Sequence, residues 1–453
     1  MVNNKQYTFI DLFAGLGGFH LALSQLGHKC VFASELKEDL RKLYSINFPN
    51  TLIAGDITCI NPADIPHHDI LCGGFPCQPF SQAGNRQGFN DKKGRGTLFD
   101  YIIDIVAYHK PKYILLENVS NLKGHDNGNT WRVIQEKLDK QNYYVKAEIL
   151  SPHEFGIPQH RKRIYIVCIR KDFGSLENFT FPQGGKIVCD VNDIIDQDAK
   201  DITPIKEETH HQLKIWQEFI DKTIAYGGTI PTFPIWAMEF GANYDFKAVA
   251  PAYQTVEQLV GKKGKLGQII KGTTLEECLS QLPNYSQTDK TRVFPVWKIR
   301  YIQQNRDFYN EHKSWLKGWM KKVAQFENSH LKMEWNCGVN AYPHIENKIV
   351  QFRASGIRVK KPTFVPALNL VGTQVPIFPW IELPEDMQKR EIGLTKGRYM
   401  TLREAASVQG MQELSFGNDE FRLSLTRSYE ALGNAVNVEV VKMIAKKLLN
   451  YAK

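Results

Sequence analysis

YTFIDLFAGLGGFHLALSQLG, residues 7–27, reads in three steps. An apolar run, YTFIDLF, has the density of a buried strand. AGLGG then places Gly15 and Gly17 where a strand gives way to a helix, so the backbone can turn tightly and approach a ligand closely. GFHLALSQLG follows with apolar residues at helical spacing. Outward from there the pattern repeats to about residue 175. KCVFASE, LIAGDI, HDILCGG, KYILLENV and KRIYIVCIR read as strands. EDLRKLYSINF, LFDYIIDIVAYHK and NTWRVIQEKLDK read as helices. Strands alternating with helices predict an α/β domain built on a parallel sheet.

The rest of the chain sets the frame. It has 453 residues, 42% hydrophobic and 23% charged, with a formal net charge of +9. That is enough chain for two cores, and its basic excess suits a polyanionic partner. Eight scattered cysteines form no CxxC pair or zinc-like spacing, which predicts a reducing compartment and no metal. With no signal-like leader and no long apolar run, the sequence predicts a cytoplasmic protein without a membrane partner. From about 181 to 400 the βαβ rhythm stops. VWKIRYIQQNRDFYNEHKSWLKGWMKKVAQF, from 296, is the clearest helical stretch there, with Trp315, Trp319 and Trp297 expected in the core. TLREAASVQG and NVEVVKMIAKKLLNYAK restore helical order after 400. The expected division is 1–180 as a catalytic and cofactor-binding domain completed by 428–453, with 181–427 as a smaller, irregular recognition domain and hinge.

Three strand ends carry chemistry. Glu35, twenty residues after Gly15, ends the second strand, where a carboxylate can accept from both hydroxyls of a ribose. Asp56, in GDI, is placed to take an adenine amino group. Position 20 is His, so the GxGxxG dinucleotide pattern is incomplete, and a nucleoside without a pyrophosphate fits better. S-adenosylmethionine has that form. Cys77 lies in GGFPCQPFSQ, held by Pro76 and Pro79 at the tip of the turn after a strand. Alone, such a turn equally suits a small apolar residue. Glu117 and Asn118 end YILLEN, and Arg161 and Arg163 open KRIYIV. A thiolate, an acid and guanidinium groups beside a methyl donor suit attack on C6 of cytosine, which makes C5 nucleophilic.

DLFAGLGGF, GGFPCQPFSQAG, RGTLF, ENV, QHRKR, REAASVQGM and YEALGNAVNVEVV, in this order, resemble the motifs of the C5-cytosine DNA methyltransferases. The resemblance covers about residues 8–175 and 398–445. It implies a Rossmann-like, S-adenosylmethionine-dependent core with a mostly parallel sheet, and a variable target-recognition domain. By the same resemblance Cys77 is the nucleophile, Glu117 the acid, and Arg163 and Arg161 the arginines at the target base. Phe13, Gly15, Gly17, Glu35, Leu36, Asp56, Ile57, Leu98, Asn434 and Val436 match cofactor contacts. Ser81 and Arg95 fall in a loop that closes over DNA, from Phe80 to Gly96, with Gly84, Gly88 and Gly94 as hinge points. Leu36 and Ala435 depart from the residues commonest at their places. Further implied are S-adenosylhomocysteine as product, base flipping in double-stranded DNA, a monomer, a nucleoid location, and a cognate restriction endonuclease working in the same system.

No motif covers 181–397. Basic residues there are candidates for DNA contacts: Lys262, Lys263, Lys265, Lys321, Lys322, Lys360 and Lys361 for phosphates. In RASGIRVKKPTF, Arg353 and Arg358 are candidates for guanine, in a loop expected to read bases. The same residues also suit a solvated face. An RNA substrate, a catalytically silent DNA-binding protein and a nicotinamide-dependent dehydrogenase are the rival readings. The intact Cys77, Glu117 and Arg163 disfavour the second, and the PCQ turn has no use in the third.

Overall fold

The computed structural model describes residues 5–76, 98–288, 290–368 and 374–451. Cys77, Ser81, Arg95 and the glycines of the expected closing loop lie outside the described residues. The chain divides into two compact units. The first gathers 1–199, 363–372 and 401–453, and the second 200–362 and 373–400. The division therefore differs from the expected one: 181–199 and 401–427 pack with the first unit, not with the second.

The first unit is built on strands β1 (Thr8–Leu12), β2 (Lys29–Ser34), β3 (Ile53–Ala54), β4 (Ile70–Gly74), β5 (Tyr113–Val119), β6 (Tyr143–Leu150) and β7 (Arg163–Arg170). Their order is β3-β2-β1-β4-β5-β7-β6. The first five are parallel, and β7 runs antiparallel to both β5 and β6. Helices α1 (Gly18–Ser24), α2 (Glu38–Asn47), α3 (Leu98–His109) and α4 (Asn129–Lys140) connect strands. Ile10, Leu12, Leu71, Ile114, Leu116, Ile164 and Ile166 form its core. Their apolar density is that of strands covered on both faces.

The winding reverses at β1. From β1 the chain steps outward to β2 and β3, then crosses to β4 and β5 on the other side. That reversal opens a crevice at the carboxyl ends of the strands. The antiparallel β7 was not expected. Its register sets Arg163 opposite Val119 and Tyr165 opposite Glu117, so the start of β7 lies at the same edge as the end of β5.

The second unit is not irregular. Six strands, β8 (Ile235–Trp236), β9 (Lys332–Asn336), β10 (Ile349–Arg353), β11 (Gly356–Lys360), β12 (Ile377–Glu382) and β13 (Lys396–Tyr399), order as β13-β12-β10-β11-β9-β8. Helices α5 (Glu207–Ala225), α6 (Val296–Glu311) and α7 (Lys313–Val323) belong to the same unit. The core joins Trp216, Phe219, Phe240, Trp319, Met333, Ile357 and Val359. Trp315 is buried with them, whereas Trp297 is half exposed, on the outer side of the first turn of α6. Back in the first unit, α8 (Leu402–Ser407), α9 (Leu425–Asn434) and α10 (Val438–Tyr451) close the chain.

Candidate active site

The turn after β1 holds its backbone in an unusual conformation. Phe13 and Gly15 both hold left-handed backbone, at φ 58° and 54°. Gly15 does so without steric cost, while Phe13 is strained there. Glu35 secures the turn: its Oε2 accepts from the Gly15 amide at 2.9 Å and its Oε1 from the Lys37 amide at 2.8 Å. Gly17 is left-handed too, at φ 81°, and both it and Gly18 lack room for a side chain. A Cβ on Gly17 would meet the Phe48 ring at 2.4 Å, and one on Gly18 would meet the Val436 side chain at 2.5 Å. His20, at the place of a third glycine, stacks on Phe48 with ring centroids 3.8 Å apart and bonds the Tyr44 hydroxyl at 2.7 Å. Burial holds its imidazole down to about 4, so it is neutral packing.

A cavity of about 510 Å³ opens at the carboxyl edge of the sheet. Every residue expected to hold the cofactor lines it except Gly17. Phe13 and Gly15 come from the end of β1, Glu35 and Leu36 from β2, Asp56 and Ile57 from β3, Leu98 from the start of α3, and Asn434 and Val436 from the segment leaving α9. Asp56 spends Oδ1 on the Thr58 amide, at 2.9 Å, which caps a short 3₁₀ turn. The donor set suits a nucleoside. A nearly buried carboxylate faces the cavity together with apolar walls, and guanidinium groups at its rim are engaged elsewhere. Arg427 holds Asp39 through two nitrogens, at 2.6 and 3.1 Å.

Glu117 and Arg163 line the same cavity. Arg163 Nε lies 3.1 Å from Glu117 Oε1. Burial raises the Glu117 carboxyl above its usual range, against the pull of Arg163 and Arg161. Glu117 therefore keeps a proton to higher pH than an exposed glutamate. Arg161 behaves differently from the expectation of a base contact. It is buried, and its Nη1 and Nη2 donate to the carbonyls of Gly433 and Ala435 at 2.8 and 2.7 Å. Burial lowers it to about 10. Two nitrogens thus hold the strand edge to the end of α9.

Two further groups shape the site, one named from the sequence only as a strand end and one not named at all. Asn118 donates to the Phe75 carbonyl at 2.8 Å and accepts from the Val119 amide at 2.8 Å. It fixes the chain two residues before Cys77; its place in ENV was the only signal. The Arg427–Asp39 pair joins α9 to α2 across 388 positions, and no local pattern announces it.

In the second unit, the expected base-reading loop is a β-hairpin. Arg353 and Gly356 face each other across a two-residue turn, and β10 and β11 continue the pairing. Arg353 and Arg358 both reach Glu334, at 2.9 and 3.0 Å. Lys360 is half-buried on β11, and burial lowers it to about 8, whereas Lys361 just beyond is exposed. Of the other candidate lysines, Lys262 pairs with Asp245 at 3.7 Å and Lys322 with Glu218 at 2.6 Å. Among the described residues, no cluster of metal-binding side chains occurs and no helix is long and apolar enough to cross a membrane.

Residues 7–450 match the family described as C-5 cytosine-specific DNA methylase. The chain is 45% identical over 202 residues to Type II methyltransferase M.HhaI of Haemophilus parahaemolyticus, covering 44% of this chain and 61% of that protein. It is 30% identical over 513 residues to Type II methyltransferase M.AluI of Cellulosimicrobium cellulans, covering 98% and 92%. The chain thus spans about three-fifths of M.HhaI but nearly all of M.AluI. Among solved structures, S. pombe Dnmt2 methyltransferase aligns with a TM-score of 0.49 at 16% identity, over 99% of each chain. With the family match running through both units, the chain belongs to the C-5 cytosine-specific DNA methylases.

Proposed function

We propose that this chain methylates C5 of a flipped-out cytosine in a specific short duplex DNA sequence, as the modification enzyme of a restriction–modification system. The observation that supports this reading most is the shared cavity. Glu35 and the glycine turn stand at one side of it, and the Glu117–Arg163 pair belongs to the same lining. S-adenosylmethionine, when bound, supplies a methyl group activated by a sulfonium. Phe13, Gly15, Glu35, Leu36, Asp56, Ile57, Leu98, Asn434 and Val436 are the residues proposed to hold it.

Cytosine C5 is a poor nucleophile until the ring is charged with electrons. The Cys77 thiolate adds to C6, forming an Sγ–C6 bond and moving the C5–C6 π pair toward C5. Glu117 holds a proton at N3, where the displaced charge would otherwise collect. Arg163 orients Glu117 and steadies the O2 edge. After methylation a water acting as base takes the C5 proton, the C5–H pair re-forms the C5=C6 bond, the Sγ–C6 pair leaves on the Cys77 thiolate, and the N3 proton returns to Glu117. Arg161 and Asn118 act as positioning residues through the backbone they hold. A stacked base cannot present C6 and C5 in this way, so the target leaves the duplex, at a cost of a few kcal/mol. The second unit is proposed to carry target recognition.

A duplex carrying 5-fluorocytosine tests the chemistry, because fluorine cannot leave as a proton does. The adduct is expected to persist through Cys77 and to vanish in Cys77→Ser. An adduct that survives that substitution would assign the nucleophile elsewhere. Transfer to a matched tRNA but to no duplex would move the substrate from DNA to RNA.

A further inference from the structure

The sheet of the second unit has one apolar and one polar face along β9, β10 and β11. Met333, Trp335, Ile357 and Val359 point into the core. Strand alternation sends their neighbours the other way: Glu334 and Asn336 on β9, and Arg358 and Lys360 on β11, paired Glu334 with Arg358 and Asn336 with Lys360. Gln351 and Arg353 of β10 fall on this face too, since Gln351 pairs with Arg358. Gln351 is buried and donates to the Gln374 carbonyl at 2.7 Å. The face therefore sets two arginines on the carboxylate of Glu334, with Lys360 beside Arg358 on the same strand face.

The two arginines are not equivalent. Glu334 gives one oxygen to each arginine, Oε1 to Arg353 Nη2 and Oε2 to Arg358 Nε. Arg353 is 13% exposed and Arg358 31%. Arg358 is held through Nε, at the inner edge of its guanidinium. The contact with Glu334 uses neither Nη1 nor Nη2, and it fixes the side chain that carries them. A guanidinium fork matches O6 and N7 of guanine, and fixing it in advance reduces the freedom lost on binding.

Resting on the reading of the chain as a DNA methyltransferase, we propose that Arg358 reads a guanine in the target duplex, that Glu334 is the residue positioning it, and that Arg353 anchors Glu334. Charge complementarity identifies the occupant as duplex DNA: the face is cationic, and its one acid is already paired. A phosphate contact would need only the charge of residue 358. A guanine contact needs the planar fork.

A randomised duplex library, incubated with S-adenosylmethionine and read by bisulfite sequencing, decides between them. The unsubstituted chain is expected to mark one sequence context. Arg358→Lys keeps the charge and loses the fork. It should reduce the preference for guanine at one position by about ten-fold, while the salt dependence of non-specific DNA binding stays the same. Glu334→Gln should weaken the preference at that same position. A thermal melt checks that each variant folds. If Arg358→Lys does not, the near-isosteric Glu334→Gln decides by the same readout. Full preference retained at every position in a folded variant overturns the assignment while leaving the methyltransferase reading intact. No methylation of any duplex by the unsubstituted chain overturns both.

Discussion

Glu117 shows how one residue's surroundings set its chemistry. It is the fifth residue of β5, buried like the apolar residues before it, yet its carboxyl lines a cavity. Desolvation favours its neutral form, and Arg163 limits the effect. Its folded pKa therefore lies above the unfolded one. The stability linked to its protonation is fully present below the ordinary glutamate range and is lost as pH rises through the raised value. Glu117→Gln should remove that pH dependence from urea-unfolding measurements. It should also lower methyl transfer by about 10²- to 10⁴-fold, the usual range for a lost general acid. In the unsubstituted chain, a high-pH decline in the single-turnover rate should report the same group. Methyl transfer at full rate by Glu117→Gln would take the acid role away from this residue.

At the scale of elements, ion pairs on the surface and in the interior differ in consequence. Asp39 on α2 and Arg427 on α9 form a two-point contact, but Asp39 is 36% exposed. The Arg427 hydrogen bond holds its carboxyl below the usual range. Asp39→Asn should cost about 0.5 kcal/mol near neutral pH, screened as exposed pairs are. That cost should fade as pH falls through the lowered folded value, and it should shrink in high salt. Glu239, in the second unit, is fully buried. It accepts from the Tyr244 and Tyr285 hydroxyls and from Arg306 Nε at 2.9 Å. Glu239→Ala leaves Arg306 with an uncompensated charge and should cost about 3–5 kcal/mol, seen as a large drop in the melting temperature. A loss comparable to Asp39→Asn would mean that water reaches Arg306.

These elements also show what can be read from residues alone. The glycine turn, Glu35, Asp56 and Glu117 are each local: a strand pattern ends, and a polar residue stands at its end. Strand direction is not local. KRIYIVCIR has the same apolar density whether it runs with or against KYILLENV. Only the tertiary register puts Arg163 beside the end of β5. The sheet of the second unit escaped for another reason. Its strands are short, two to six residues, and charged residues such as Lys332, Glu334, Arg358 and Lys360 interrupt their apolar runs, so they resemble loops. Arg161 sits in a recognisable motif, yet its partners are backbone carbonyls 272 and 274 positions away, which no motif can display.

For the whole molecule, the net charge of +9 argues for a long-range attraction to polyanions. Binding to a duplex of unrelated sequence should follow counterion release. Affinity is expected to fall by about 10³-fold or more between roughly 50 and 200 mM salt if six or more phosphates are contacted. A flat response in a filter-binding titration would mean that the charge is dispersed away from the DNA.

The first unit draws on three separated stretches of chain. Val436 packs against Gly18 at the head of α1, and Lys442 of α10 reaches Gln25 just beyond its far end. A ribosome therefore releases α1 long before its covering residues exist. Until then the apolar side of that helix, with Phe19, Ala22 and Leu23, awaits a partner separated from it by the entire second unit. Closing so long a loop is slow, since its entropy is lost before the contact is gained. The second unit, continuous but for the short 363–372 excursion, has no such wait. Nascent chains stalled before residue 438 should thus bind holdase chaperones through the amino-terminal half, and chains allowed past it should let go.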